Sequence, residues 1–432
     1  MQYKVLKINK KLTNLGVNIF IKLKHNLNIP PNSLSMIKKL TYILFLVSML
    51  CISQTYPVGE NIMDITWKVY IQPSNTPKYL ESFINEFDVQ VTKISDLDII
   101  REDSQKLRHH YSVDSPWNSD GSYIKLSGYP AAILNGSNYK FVKWANIPSS
   151  ATWSNTNPNI MYGIKDNRLV SYNLTTNRNQ TLYIFNEFEK ISYGLNKGNT
   201  SYNDKYIGLI GVNDKDLTLI VFDIINNKIV GTNFIGRINI AWFSVSPLGN
   251  FAVSAFSEDG SEENQGLKVY QIDLTKKRHL TNFTTHSDLG IDAYGDEVYV
   301  AFGDSITRKK DYYMKMVRLS DGHTTPLFHY TEGYGVWGGH ISCRNNLRPG
   351  YAYVSEGCCA DDTIAGKEVF AIRLDDSNTI ERYGYHHATY QDNYQQEPHA
   401  VPNRDGSKIM FASSWNGLFT TKYPPAFIVE KK

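Results

Sequence analysis

Disulfides cannot carry this fold, because the 432 residues hold only four cysteines: Cys51, Cys343, Cys358 and Cys359. Past residue 53 three are left, which allows at most one intramolecular bridge, from Cys343 to one of the adjacent pair, with a thiol left over. A zinc site built from His340 and the three cysteines is the competing arrangement, and a single disulfide is the more economical. Helix-period patterns are scarce after residue 60, the one short candidate being Lys78 to Phe87 (KYLESFINEF). There is no Gly-x-Ser-x-Gly elbow, no His-Glu-x-x-His helix and no phosphate-cradling glycine loop, which disfavours serine hydrolases, zinc proteases of that type and nucleotide enzymes.

An excess of basic charge is missing too. The formal charge is +3, but residues 1–53 carry eight Lys and no Asp, Glu or Arg, leaving 37 basic against 42 acidic residues, about −5, in the remainder. A nucleic-acid binder takes most of its affinity from neutralising phosphates with a basic face, so that class is disfavoured. With 41% hydrophobic and 20% charged residues the chain has material for a sizeable core.

Residues 38–54 read KKLTYILFLVSMLCISQ, two lysines and an apolar run of 13 residues from Leu40 to Ile52, then small Ser53. Spanning a bilayer takes about 20 apolar residues. The pattern is that of a signal peptide over 36–53 starting at Met36, which predicts an exported chain, extracellular or periplasmic, with no membrane span. Residues 1–35 then form an upstream extension; a lysine-rich targeting helix is the alternative. Leu50 is too bulky before Cys51 for the usual lipoprotein site. Asn135, Asn173, Asn179, Asn199 and Asn282 begin Asn-x-Ser/Thr triplets, which accept glycans only in a eukaryotic host.

What the chain does have is strands. Short alternating or apolar runs rich in Tyr, Val, Ile and Phe alternate with Asp, Asn, Gly and Ser, so the class is all-β. A weak repeat places a polar or aromatic residue before a turn and then an apolar strand, as in HHYSVDSPWNSDGSYIKL, IAWFSVSPLGNFAVSAF and EPHAVPNRDGSKIMFASSW. With Asp120, Pro158, Asp204, Leu248, Gly295, Pro349 and Asp405 as markers, the spacings are 38, 46, 44, 47, 54 and 56. Blades of a propeller repeat at roughly 40–50 residues, so seven markers predict a seven-bladed β-propeller over residues 54–432, one domain. Strands in MDITWKVYIQ and VQVTKISD would complete the last blade and close the ring. A β-sandwich followed by a second β domain is the alternative, though no Pro- or Gly-rich linker divides the chain.

In a propeller, residues just before each innermost strand line one mouth of the central channel. Those positions hold His109, His110, Tyr111, Trp153, Tyr202, Trp242, His286, Asp288, His340 and His399. The faces of Trp117, Trp153, Tyr202 and Trp242 suit the C–H faces of a sugar ring. Imidazoles gathered at equivalent repeat positions suggest a metal site or an acid/base pair, although a single histidine hydrogen-bonded to backbone is the commoner case. Gln396 and His399 could reach one cation, with His387 upstream; of His386 and His387 only one should face the channel. Arg344 could clamp a carboxylate, or be an ordinary surface charge.

From Gly339 to Gly417 the stretches GHIS, RPGYAYVS, KEVFAIRLDDSNTIERYGYHH and QQEPHAVPNRDGSKIMFASSW resemble the blades of the oligogalacturonate lyases and, more loosely, of the propeller ulvan lyases. The DG turns are shared with TolB-like and WD40-like repeats. The resemblance implies a divalent metal, manganese in the lyases, held by a Gln-x-x-His-x-His arrangement. Gln396 and His399 match its first two positions and Val401 departs from the third, so His340 and His387 would have to complete the shell; calcium and zinc are the other candidate ions. The implied activity is β-elimination on an acidic polysaccharide or oligosaccharide by a monomer. Arg344 or the cation would neutralise the uronate carboxylate, His110 or His340 would take the proton, and Tyr111 or a second imidazole would protonate the leaving oxygen. Two other classes stay open: a non-catalytic glycan- or protein-binding propeller, and a glycoside hydrolase, for which Asp114, Asp288 and Asp292 are the near-mouth carboxylates.

Overall fold

Each of the seven marker residues sits in the turn that joins the innermost strand of a sheet to its neighbour. This holds in a computed structural model that describes residues 60–61, 73–100, 106–148, 150–194, 198–303, 312–329, 335–336, 338–356, 365–389 and 394–431. The chain divides into two compact units, Met1–Thr55 and Tyr56–Lys432, and all described residues lie in the second. The leader, MDITWKVYIQ up to Gln72, Cys51, Cys358 and Cys359 lie outside them.

Seven small antiparallel sheets form the seven blades of a propeller. Blade one comprises Tyr123–Leu126, Ala131–Asn135 and Phe141–Ala145, with a Trp117–Ile124 bridge in place of a full inner strand. Blade two is Thr152–Trp153, Ile160–Lys165, Arg168–Asn173 and Arg178–Ile184; blade three is Lys190–Ser192, Tyr206–Asn213, Asp216–Asp223 and Lys228–Gly236. Blade four is Ile240–Val245, Phe251–Phe256, Leu267–Gln271 and Arg278–Thr281. Blade five is Ser287–Ile291, Glu297–Phe302, Tyr312–Arg318 and Thr324–His329. Blade six is Gly339–Ser342, Tyr351–Glu356, Glu368–Arg373 and Ile380–Tyr385, with Glu60–Asn61 on its outer side. Among the described residues the helical content is two short 3-10 turns, Ala365–Lys367 and Tyr394–Gln396.

Blade seven closes the ring from both ends of the described chain. Val401–Pro402, Lys408–Ala412 and Ala426–Glu430 pair in succession, and the next partner is Gln90–Lys93, then Ser82–Ile84. The strand expected in VQVTKISD is therefore the closing one. The helix expected over Lys78 to Phe87 is instead the outer hairpin arm: Ser82–Ile84 pairs with Gln90–Thr92, and Asn85 Oδ1 accepts the amides of Phe87 (3.0 Å) and Val89 (3.2 Å). Local capping by that asparagine and pairing to a neighbour outweigh the weak helical period.

The sequence explains the blade pattern. The second strand Glu297–Phe302 is buried throughout and Ile160–Lys165 alternates, while the outermost Arg178–Ile184 is largely exposed. The Asp-Gly-Ser turns at 120–122 and 405–407 use one device: Asp120 Oδ1 accepts the Ser122 amide (3.0 Å) and Asp405 Oδ1 the Ser407 amide (2.9 Å). Gly406 has φ +70°, and a Cβ there would meet Tyr353 Oη at 1.9 Å, so that turn requires glycine.

Candidate active site

The inner strands aim two of the expected histidines at each other. His340 lies on Gly339–Ser342 and is fully buried. His399 precedes Val401–Pro402, and Pro398, which has no N–H, leads into it; His399 itself takes φ +49°, an uncommon conformation that turns its ring inward. The His340 and His399 ring centroids are 4.0 Å apart, and Glu397 lies between them, its Oε2 hydrogen-bonded to His340 Nε2 and 3.8 Å from His399 Nε2. The ligand atoms of these three residues lie within 4.8 Å of one another. Buried His340 Nδ1 and His399 Nε2 have no hydrogen-bond partner.

More groups surround this cluster. Tyr111 packs on both rings (5.3 Å from His340 and 5.1 Å from His399), and Tyr394 Oη donates to Tyr111 Oη at 2.9 Å. His286, just ahead of the blade-five inner strand, is 4.8 Å from the His340 ring. Behind His399, Arg108 donates to its Nδ1 (2.8 Å), to the Glu397 carbonyl (2.9 Å) and to the Gln395 carbonyl, while His109 Nε2 lies 2.6 Å from the His399 carbonyl.

Burial sets the protonation states. It lowers His286 to about 4 and His340 to about 3, the neighbouring His340 and Arg108 respectively adding to the effect, and holds His399 well below the usual range. It pushes Glu397 up to about 7 and Tyr111 up to about 12. The group is thus a set of neutral imidazoles and phenols around one guanidinium and one acid, Glu397, that exchanges its proton near neutral pH.

A cavity of about 550 Å³ borders Tyr111 and His286, which separate it from the three buried residues of the cluster, and is lined further by Trp242, Asp288, Asn199, Phe302 and a series of Ser and Thr hydroxyls. No Lys or Arg is among the described residues lining it. A second cavity of about 20 Å³ is lined by Trp153, Tyr202, Arg344 and Arg404 among others.

The residues singled out from sequence divide accordingly. Tyr111, His340 and His399 come together, and Trp242 lines the larger cavity. His110 faces Asp114 instead (3.5 Å) and is 42% exposed. Arg344 is held by Asp288, with hydrogen bonds of 3.0 and 2.8 Å, so its fork is already filled. Trp153 and Tyr202 border the small cavity, and Trp117 is buried in the core of blade one. His387 packs on Trp415 (4.6 Å), and Gln396 is buried with Oε1 unpartnered. Cys343 is a free thiol buried against Gly290, so the expected disulfide is not made there. Of the carboxylates weighed for glycoside hydrolysis, Asp288 is bound to Arg344, Asp114 lies 3.3 Å from Lys125, and Asp292 caps the Tyr294 and Asp296 amides.

Glu397, Tyr394, Arg108 and the proximity of His286 to His340 were not read from sequence. For Glu397 a signal existed: residues i and i+2 of extended chain share a face, which groups Glu397 with His399 and sets Gln396 apart.

Fold and site together define a seven-bladed propeller with a buried His–Glu–His cluster beside its central cavity. Its solved likenesses are an oligogalacturonate lyase from Vibrio parahaemolyticus, at 13% identity and TM-score 0.58, covering 81% of this chain and 96% of that one, and an oligogalacturonate lyase in complex with manganese, at 12% identity and TM-score 0.57, covering 87% and 98%. The chain shares the propeller fold of these lyases. No family model and no curated protein sequence matches it.

Proposed function

We propose that the protein is a lyase that cleaves uronic-acid oligosaccharides by β-elimination, exported by the leader over residues 36–53. The observation that carries the reading is a neutral imidazole, His286, lining the cavity 4.8 Å from a buried His340–Glu397–His399 cluster. The solved lyases of the same fold support it, one of them holding manganese.

Two imidazoles and a carboxylate within 4.8 Å, with unpartnered ring nitrogens, offer the donor set of a divalent cation of the manganese type, His399 Nε2 having to give up the proton it carries while Nδ1 accepts from Arg108. Held by His340, Glu397 and His399, such an ion would act as a Lewis acid that withdraws charge from the uronate carboxylate and acidifies the adjacent C–H. Among the described residues the lining offers no Lys or Arg for that task, and Arg344 is engaged with Asp288. A nitrogen of His286 accepts the proton from the carbon next to the carboxylate. The C–H electrons form the C=C bond, the β C–O bond breaks, and the leaving oxygen takes the Tyr111 proton. Tyr394, donating to Tyr111 Oη, stabilises the phenolate left behind. Trp242 offers an aromatic face for a sugar ring.

The test is to incubate the purified protein with a panel of oligogalacturonates and other uronate oligosaccharides, with Mn2+ or with chelator. An ultraviolet-absorbing unsaturated product that requires Mn2+ and vanishes in His286→Ala is expected. Saturable binding with no such product would overturn the lyase reading in favour of a glycan-binding module.

A further inference from the structure

The smaller cavity, of about 20 Å³, lies apart from the histidine cluster, where segments of blades one, two, three, six and seven converge: Ser115, Trp153, Tyr202, Arg344 and Arg404 line it. Arg344 and Arg404 are its charged residues, and among the described lining there is no Asp or Glu. Both arginines are buried, 8% and 7% exposed, and each leaves one nitrogen idle. Arg344 spends Nε and Nη2 on Asp288 (3.0 and 2.8 Å) and Nη2 also on the Leu289 carbonyl (2.9 Å), so Nη1 donates to nothing among the described residues. Arg404 donates to the Asn155 carbonyl (2.9 Å), to Asn155 Oδ1 (3.0 Å) and to the Ser154 carbonyl (3.1 Å), all neutral acceptors, and its buried Nε has no partner. Asp204 reaches Arg404 only across Asn155, its oxygens accepting from the Ser154 and Thr200 hydroxyls and from the Asn155 and Thr156 amides.

A buried guanidinium with an idle N–H and no carboxylate beside it is costly, and two of them facing one polar space favour a negative occupant. We propose that this cavity is a halide site that holds one chloride against Arg344 Nη1 and Arg404 Nε. A water there would satisfy the two N–H groups but leave the Arg404 charge uncompensated. About 10–15 Å³ admits one water-sized occupant, so the space suits a single small ion and excludes sulfate, phosphate or a sugar carboxylate. A half-turn of the Asn346 side-chain amide, whose Oδ1 is buried without a partner, brings a further N–H to the same ion. The ion links blade six to blade seven, and it braces Arg344, whose partner Asp288 stands in the wall of the larger cavity.

The experiment is thermal unfolding of the full chain at constant ionic strength, with sodium gluconate replaced stepwise by sodium chloride or bromide, together with a bromide-soaked crystal read for anomalous scattering. Tm is expected to rise saturably, by about 1–3 °C as halide reaches about 0.1 M, as for any ligand bound by the folded state alone. Arg404→Gln is expected to lose that dependence, whatever its own Tm, and a bromide peak should stand between Arg344 and Arg404. A wild-type Tm indifferent to the exchange overturns the proposal, as does a rise that persists undiminished in Arg404→Gln. An ordered water in the cavity of the soaked crystal, with no bromide, overturns it too, and that map decides on the wild type should the glutamine variant fail to fold. None of these readouts depends on turnover, so the halide site and the lyase reading stand or fall separately.

Discussion

His286 and His110 make the sharpest contrast between single residues. One lines the cavity against His340, and the other faces Asp114 at the surface. His286→Ala is expected to lower kcat by about 10²–10⁴-fold, the usual worth of a positioned proton acceptor, and His110→Ala to leave it near wild type. Steady-state kinetics with circular dichroism as a fold control checks this, and the reverse ranking would remove His286 from the mechanism. Arg344 carries a prediction about stability. Replacing one partner of a buried ion pair strands the other, so Arg344→Met should cost about 3–5 kcal/mol in urea unfolding. Parts of the site were legible in the sequence because the repeat register puts Tyr111, His340 and His399 at equivalent positions. Arg108 and Tyr394 were not, since each reaches the cluster from outside that register. Glu397 is hidden beside a glutamine that matches the lyases' Gln-x-x-His pattern, whereas the parity of an extended chain pairs Glu397 with His399.

At the level of strands, turn chemistry and alternation were readable because each blade repeats them, and the seven markers fall in seven equivalent turns. The hairpin at Ser82–Ile84 was not, because LESFINEF satisfies a helical period by chance and only pairing with Gln90–Thr92 decides between the two. The neighbouring strand Gln90–Lys93 is flanked by Ser82–Ile84 on one side and Ala426–Glu430 on the other. Whichever way the amide of Thr92 points, it faces a ladder, so Thr92→Pro should destabilise by about 3 kcal/mol or more. A denaturation midpoint equal to wild type would show that this strand does not hold the ring shut.

For the molecule as a whole, the number of blades followed from spacing alone, whereas the depth of the pocket and the sealing of its charges depend on packing that no spacing encodes. Residues 54–432 carry about −5 net charge. A polyanionic substrate is therefore repelled at long range, and salt screens that repulsion within a Debye length of about 10 Å at 0.1 M. Raising ionic strength from low to physiological values should increase kcat/KM for acidic oligosaccharides by a small factor, where a basic-funnel enzyme would lose activity. A steep fall with salt would contradict this picture.

The sharing of blade seven between Gln90–Lys93 and Ala426–Glu430 also orders events in time. While a ribosome still shelters residues 426–430, the early strand has only Ser82–Ile84 beside it and the circle stays open, so the finished shape waits for Ala426–Glu430 to emerge. If the leader proposed over residues 36–53 exports the chain, a polypeptide kept unlocked in this way would still thread a narrow translocation pore before it closes.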